Sequence, residues 1–255
     1  MLTAVAIGGA FMVGGCGQDF TDVSALRLLL TTECEGRDVA STRAADRVLL
    51  DWDGGTSPLY PSISLDPLDL AVFETSDGGT LADRADEFKE RVRLQITRIF
   101  CDFPEAEIRV DHAGQERNRN TTVVHLAQIV SPHGGAQIGE GEYDPCNQYH
   151  DDAAVIFGEQ IRRLGGPRPL DDWVFMFANV TAHEIGHMVG FGHILRDQQP
   201  EASRSLYVEL MLDGHTIDEL KREQRFVVPQ TNCPKTDATA RRCSHNPVAD
   251  WTREE

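Results

Sequence analysis

Five residues in one short stretch have the types and the spacing of a metal site: His183, Glu184, His187, Gly190 and His193. On an α-helix, His183 and His187 lie about one turn apart in height and roughly 40° apart around the axis. Gly190 is expected to end this helix, because glycine enters a left-handed turn without steric cost. The chain can then turn back and direct His193 toward the same point.

Three neutral imidazoles are a ligand set of catalytic zinc sites, which leave the fourth tetrahedral position open for water. The metal lowers the pKa of that water to about 7 and polarises the carbonyl group that is attacked. Glu184, beside the first histidine, can accept the proton of the water and is not expected to be a ligand itself. The pattern therefore predicts Zn²⁺ bound by His183, His187 and His193, with Glu184 as the general base.

The pattern H-E-x-x-H-x-x-G-x-x-H resembles that of the metzincins, zinc endopeptidases in which this motif is followed by a Met-turn. The downstream segment Val-Glu-Leu-Met-Leu-Asp-Gly is similar to such a turn. The resemblance implies that Met211 forms an apolar floor beneath the three histidines, whereas an ordinary core methionine is the alternative. It also implies hydrolysis of peptide bonds in a peptide or protein substrate.

Residues beside these motifs do not match one metzincin subfamily. Ile194 follows the third histidine, where astacin-like, matrixin-like, adamalysin-like and serralysin-like members typically have Glu, Ser, Asp and Pro. Asp213 stands two residues beyond Met211, where those groups usually have Tyr or Pro. The subfamily is therefore given as either matrixin-like or unassigned. The resemblance does not imply a tyrosine that stabilises the transition state.

Two other interpretations use the same residues. The first is a non-catalytic surface lipoprotein that holds zinc and binds a protein partner; Glu184 weighs against it, because a pure binding site needs no base. The second is a gluzincin-type peptidase with Glu201 or Glu209 as the third ligand. His193 at the metzincin spacing weighs against that assignment.

Length and charge restrict the class of protein. A chain of 255 residues that is 40% hydrophobic can form one sizeable core, or one domain with tails. Its formal net charge of −17 would repel nucleic-acid phosphates, so no nucleic-acid partner is expected. The sequence makes no prediction about the oligomeric state.

The first fifteen residues carry no charged side chain and match the core of a signal peptide. They are too short to span a bilayer as a helix. The run Val13-Gly14-Gly15-Cys16 resembles the lipobox of bacterial lipoproteins, in which the cysteine is lipidated, although no Lys or Arg precedes the apolar core. We expect export from a bacterial cell, with the chain either anchored in the cell envelope through lipidated Cys16 or secreted; a buried N-terminal strand is the alternative.

Six cysteines would allow three disulfides in an oxidising compartment, but lipidation of Cys16 would leave five. Cys233 and Cys243 are close in sequence and form the first expected bridge, and Cys101 with Cys146 is a second candidate; Cys34 is then the odd residue. In several metzincins a thiolate from a pro-segment keeps the enzyme latent. Cys34 is a candidate for this role, with an ordinary thiol or disulfide as the alternative.

Composition along the chain divides it into four parts. Residues 1–15 form the signal peptide of lipoprotein type, and residues 16–45 a tether or short pro-segment. Residues 46–228 form the metzincin-like catalytic domain. Residues 229–255 are a polar tail in which the Cys233–Cys243 bridge would lie.

Hydrophobic patterns predict the elements that position the motif. Four segments read as β-strands: 47–52, 106–111, 122–129 and 153–158. A helix opened by Thr80 and Asp83 has apolar residues three or four positions apart up to Ile99. Residues 56–79 read as loop, and the capping-box signal at Thr216 predicts a last helix through about Phe226.

Two further predictions concern the surroundings of the motif. Residues 134–143 are either an edge strand above the cleft, to which an extended peptide could add, or a plain glycine loop. Asp171 or Asp172 is expected to cap the catalytic helix. Four residues could bind a second metal, with a solvated loop as the alternative: His133, His150, Asp151 and Asp152.

Taken together, the order of elements predicts an α+β domain that is split by a cleft. The resemblance implies a twisted, mostly parallel β-sheet, a backing helix, a zinc-binding active-site helix, a Met-turn and a C-terminal helix.

Overall fold

The computed structural model describes residues 47–101, 108–113, 121–144, 151–189, 191–193, 208–212, 214–222, 224–225 and 230–231. The expected signal peptide and tether lie outside these residues, as do Gly190 and every cysteine except Cys101. Among the described helices, none combines the length and the apolar character that a membrane crossing requires.

A five-stranded sheet lies at the centre of the described part of the protein. Its strands are β1 (Arg47–Asp51), β4 (Arg109–His112), β5 (Thr121–Ala127), β6 (Gly139–Gly141) and β7 (Ala153–Phe157), and their spatial order is β4-β1-β5-β7-β6. The first four in spatial order are parallel, and β6 runs antiparallel to β7 at the edge. The predicted mostly parallel sheet is confirmed, and the fold around it is mixed α/β.

Strand β7 lies inside this sheet because its sequence is apolar on both faces. All five of its residues are buried. Ala154 and Ile156 face the large core with the helices, whereas Val155 and Phe157 face a smaller cluster on the opposite side. A strand covered on both faces is expected to be continuously hydrophobic.

The backing helix begins with the predicted capping box. The backbone N–H of Thr80 donates to the Asp83 carboxylate over 2.7 Å, and a 3₁₀ turn at Leu81–Arg84 leads into helix α1 (Ala85–Cys101). Phe88, Val92, Ile96 and Ile99 of its apolar stripe are buried against the sheet and the catalytic helix. The predicted amphipathic helix is confirmed.

The loop predicted for residues 56–79 is wrong over its first part. Strands β2 (Gly55–Ser57) and β3 (Tyr60–Leu65) form an antiparallel hairpin that covers the sheet face opposite the helices. Tyr60 and Leu65 are buried, while Pro61 and Ser62 between them are exposed. Exposed Pro and Ser residues have low strand propensity, so the sequence pattern did not predict this outer strand.

A short helix α2 (Gly158–Arg163) precedes the catalytic helix α3 (Leu170–Met188). Helix α3 begins earlier than predicted, so the assignment of Asp171 or Asp172 as its cap is wrong. Its N-cap is Pro169, and both acids lie in the first turn, where the helix dipole still favours them. Leu170, the first residue of the helix, is buried, and Asp171 pairs with Arg91 of α1.

Among the described residues after α3, the chain forms four short strands and one short helix. They are β8 (Phe191–Gly192), β9 (Val208–Glu209), α4 (Ile217–Leu220), β10 (Gln224–Arg225) and β11 (Gln230–Thr231). Thr216 and Glu219 form the predicted capping box, but α4 does not continue to Phe226, because β10 pairs with β9 instead. Strand β11 pairs with β8, directly after the catalytic helix.

Candidate metal centre

Helix α3 and strand β8 bring the three predicted histidines together. The Nε2 atom of His183 lies 3.2 Å from that of His187 and 3.1 Å from that of His193, and the His187–His193 distance is also 3.1 Å. Within the described part of the chain, these three residues form the group that is able to hold a metal ion.

Backbone carbonyls fix how two of these rings are protonated. His183 Nδ1 donates to the Leu210 carbonyl over 2.8 Å, and His187 Nδ1 donates to the Phe191 carbonyl over 2.9 Å. A carbonyl oxygen can only accept, so each proton lies on Nδ1 and the lone pair lies on Nε2. The lone pairs therefore point to the common centre.

The spacing of these nitrogens fits a zinc ion. With Zn–N bonds of 2.0–2.1 Å, two ligands at a tetrahedral angle are about 3.3 Å apart. Burial lowers the pKa of His187 to about 4, and burial and the neighbouring rings hold the pKa of His183 well below its usual range. Both rings are therefore neutral at pH 7, which is the form that binds a metal.

Glu184 lies beside this group with its carboxylate against the edge strand β6. The side chain is 7% exposed, and the backbone N–H of Gly141 donates to it. A Cβ atom at Gly139 would lie 2.6 Å from Glu184 Oε1, and one at Gly141 would lie 3.0 Å from the Glu184 carbonyl. Strand β6 can approach the helix this closely because both positions are glycine.

Burial raises the pKa of Glu184 to about 8, with a smaller contribution from the charge of Glu140. The hydrogen bond from Gly141 acts in the opposite direction. A cation at the histidines would also lower this pKa, since an opposite charge favours the ionised carboxylate.

The three histidines and Glu184 line a cleft of about 630 Å³. Residues of the edge strand line one part of it, as does Tyr143, whose ring lies edge-on 6.2 Å from that of His187. Leu212, His215 and Leu220 also line the cleft. Of residues 134–143, for which an edge strand and a plain loop were both expected, Gly139–Gly141 form an edge strand that pairs with β7.

Met211 is completely buried and follows Leu210, whose carbonyl orients His183. Its predicted role as an apolar floor beneath the three rings stays a prediction. Asp213 and Ile194 lie outside the described residues.

The candidate second metal site does not form among the residues that the structure describes. His133 lies 3.6 Å from Glu140, Asp151 is exposed and Asp152 is buried, whereas His150 lies outside the described residues. None of the three described residues belongs to a group able to hold an ion there. For the gluzincin alternative, Glu201 is outside the described residues, and His193 joins the two helical histidines instead.

Several contributors to the site were missed by the sequence analysis. The Leu210 and Phe191 carbonyls act through the backbone, which carries no residue signature. His215 lines the cleft with its ring 5.9 Å from that of His183, but it follows Gly214 outside any motif. Asn179 was not missed, because the helical spacing predicts it on the same face as His183; it lines the cleft, and its Nδ2 donates to the carbonyls of Leu220 and Arg222.

The sequence matches no protein-family model, and no curated protein sequence is significantly similar to it. Among solved structures, it is similar to the crystal structure of an archaemetzincin from Methanopyrus kandleri, with a TM-score of 0.37 and 14% sequence identity. The similarity covers 82% of this chain and 99% of that one. Similarity at this level does not show that the two chains belong to one family.

Proposed function

We propose that the protein is a zinc-dependent endopeptidase of metzincin type. The observation that carries this proposal is the meeting of three imidazole Nε2 atoms within 3.2 Å of one another, with a buried carboxylate on the adjacent residue. A three-nitrogen ligand set is typical of a zinc site that keeps one position open.

His183, His187 and His193 would hold the ion, and the ring protons on Nδ1 keep two of the Nε2 lone pairs available for it. When bound, zinc supplies Lewis-acid polarisation of a carbonyl and makes water acidic enough to act as a nucleophile near neutral pH. The chain's own contribution is to hold these ligands in place before the ion arrives.

Glu184 is proposed as the general base. Its carboxylate takes the proton of the attacking water and then passes it to the leaving amine of the peptide bond. The N–H of Gly141 and the close approach of Gly139 limit where this carboxylate can lie. A base that is held in place before the reaction lowers the entropic cost of orienting it for proton transfer.

Strand β6 offers a way to bind an extended peptide. It is the edge strand of the sheet, and its residues line the same cleft as the histidines. A peptide that adds to this edge would form backbone hydrogen bonds that do not depend on its sequence, while the cleft would select among side chains. This geometry favours an endopeptidase, since such binding does not require a free peptide end.

The direct test is cleavage of a fluorogenic peptide library by the purified full chain. We expect one zinc ion per chain and cleavage that a chelator abolishes and added zinc restores. A chain that binds zinc but cleaves no member of the library would favour the alternative of a non-catalytic zinc-binding lipoprotein. A chain that binds no zinc would refute both.

We also propose that the protein is exported from a bacterial cell and anchored through lipidated Cys16, on the strength of residues 1–16. In a bacterial host, the wild-type chain should incorporate labelled fatty acid and fractionate with the membrane, whereas Cys16→Ser should lose the label. Recovery of unlabelled wild-type chain from the medium would indicate secretion instead, and retention in the cytoplasm would contradict export.

A further inference from the structure

The carbonyl oxygen of Leu210 accepts two hydrogen bonds from histidine side chains. His183 Nδ1 donates over 2.8 Å, and His215 Nε2 donates over 3.0 Å. A carbonyl oxygen has two lone pairs, so both are used here. The direction of this carbonyl is thus held from two sides, one of them outside the proposed ligand set.

The other nitrogen of His215 shows which way its proton lies. Gln224 is fully buried, and its Nε2 donates to the Glu219 carbonyl over 3.1 Å and to His215 Nδ1 over 3.3 Å. Because the Glu219 carbonyl can only accept, the side-chain nitrogen of Gln224, and not its oxygen, must face Glu219 and His215. His215 Nδ1 is therefore an acceptor, and the proton on Nε2 is directed at Leu210.

The segment that carries His215 is also tied to the catalytic helix. Asn179 Nδ2 donates to the carbonyls of Leu220 and Arg222 over 2.9 and 2.8 Å. Asn179 and His183 lie one turn apart on α3, so the segment is attached to the helix close to the ligand. The His215 ring stands 5.9 Å from the His183 ring at an interplanar angle of 84°.

We propose that His215 is a positioning residue for the metal centre, which holds the Leu210 carbonyl in the direction that His183 requires. Without the His215 donor, the carbonyl can rotate away, and His183 loses the contact that places its proton on Nδ1. The inference rests on the proposed function only in requiring a metal at the three histidines. Partners that orient a metal-binding histidine commonly contribute 10–100-fold in affinity.

The test is the zinc dissociation constant of full-length variants, measured by competition with a chelating dye. His215→Leu is expected to bind zinc about tenfold more weakly, at the low end of that range because His215 acts through a carbonyl. His215→Gln should keep most of the wild-type affinity, since the amide nitrogen of glutamine lies about as far from the backbone as Nε2 of histidine. His215→Asn, a polar exchange of shorter reach, should behave like His215→Leu.

Cobalt substitution adds a readout that loss of stability alone would not change. The visible absorption of the cobalt-loaded protein reports ligand geometry, so it should shift in His215→Leu and His215→Asn but not in His215→Gln. His112→Leu is the matched control, because His112 lies in β4 at the opposite edge of the sheet. It should keep both the zinc affinity and the cobalt spectrum.

Unchanged zinc affinity in His215→Leu or His215→Asn would overturn this inference alone. An equal loss of affinity in His215→Gln and His215→Asn would also overturn it, because the donor at the Nε2 position would then not be the cause. A wild-type chain that binds no zinc would overturn the proposed function together with this inference.

Discussion

In two of the histidines at the candidate metal centre, the two ring nitrogens have different partners. In His183 and His187, Nδ1 donates to a backbone carbonyl, and Nε2 faces the common centre. Glu184 differs from them, because its carboxylate lies against β6 and is not part of the ligand group. The proposed metal binding and the proposed proton transfer thus involve different residues, and substitutions can test the two separately.

Replacing the proposed base should remove hydrolysis without removing the metal. We expect Glu184→Gln to bind zinc normally and to lower kcat by about 10²–10⁴-fold, the usual contribution of a general base. Metal analysis and peptide cleavage on the same sample check this. Glu87→Gln, on α1 where Glu87 pairs with Arg84, is the control and should keep both properties. Equal activity in Glu184→Gln would refute the assignment.

The close approach of β6 to Glu184 can be tested by replacing one hydrogen atom of a glycine with a methyl group. In Gly139→Ala, the new methyl group would lie 2.6 Å from Glu184 Oε1, so either the strand or the carboxylate must move. We expect kcat to fall while zinc content is kept. Gly166→Ala, where the added methyl group meets no atom within 4 Å, should leave both unchanged. If Gly139→Ala cleaved peptides at the wild-type rate, the position of Glu184 against β6 would be wrong.

At the scale of elements, the edge strand depends on the hairpin beneath it. The Tyr60 hydroxyl of β3 donates to the Glu140 carboxylate of β6, and His133 lies 3.6 Å from the same carboxylate. Burial and the charge of Glu140 raise the pKa of Tyr60 above its usual range, so this hydroxyl remains a donor at any ordinary pH. The hairpin thus supports the strand that lines the cleft.

Removal of this support should affect peptide binding more than chemistry. Tyr60→Phe loses the hydroxyl but keeps the ring that packs near Phe157. We expect KM to rise while kcat stays nearly constant, and the free energy of unfolding to fall by about 1 kcal/mol, as for one hydrogen bond. Steady-state kinetics and urea unfolding measure the two effects. A fall in kcat at constant KM would contradict a role in strand placement.

The sequence predicted the elements whose pattern is set by burial. The periodic stripe of α1 and the apolar run of β7 follow directly from helices and strands that face a core. It missed β3, because the buried Tyr60 and Leu65 stand at the strand ends with exposed residues between them. It also extended α4 too far, since nothing local showed that Gln224 would pair with β9.

The residues of the candidate site were likewise predicted only in part. The motif predicted His183, Glu184, His187 and His193, because their spacing along one helix and the turn after it is local. The carbonyls of Leu210 and Phe191 and the side chains of His215 and Gln224 were not predicted. They meet the histidines through turns of the chain that no residue pattern specifies.

At the scale of the whole molecule, the centre joins parts that are far apart in sequence. Helix α3 carries two of the histidines, β8 leads to the third, and the segment at Leu210 orients the first. A ligand that binds only this folded arrangement stabilises it by mass action. Zinc should therefore stabilise the protein against unfolding as well as enable hydrolysis.

Zinc removal should lower the melting temperature. A free zinc concentration of 1,000 times the dissociation constant corresponds to about 4 kcal/mol of added stability. We expect a chelator to lower the Tm of the wild type by several degrees and to have little effect on His187→Ala, which lacks one ligand. Calorimetry with and without chelator measures this. An identical shift in both proteins would show that the stabilising ion lies elsewhere.

The most direct measurement is zinc-edge X-ray absorption of the purified chain loaded with one zinc ion. Convergence of His183, His187 and His193 predicts three imidazole nitrogens at about 2.0–2.1 Å, with a light oxygen or nitrogen donor in the remaining position. His193→Ala should reduce the imidazole count to two. A wild-type spectrum with two imidazoles, or with sulfur ligands, would contradict the three-histidine centre and the peptidase function inferred from it.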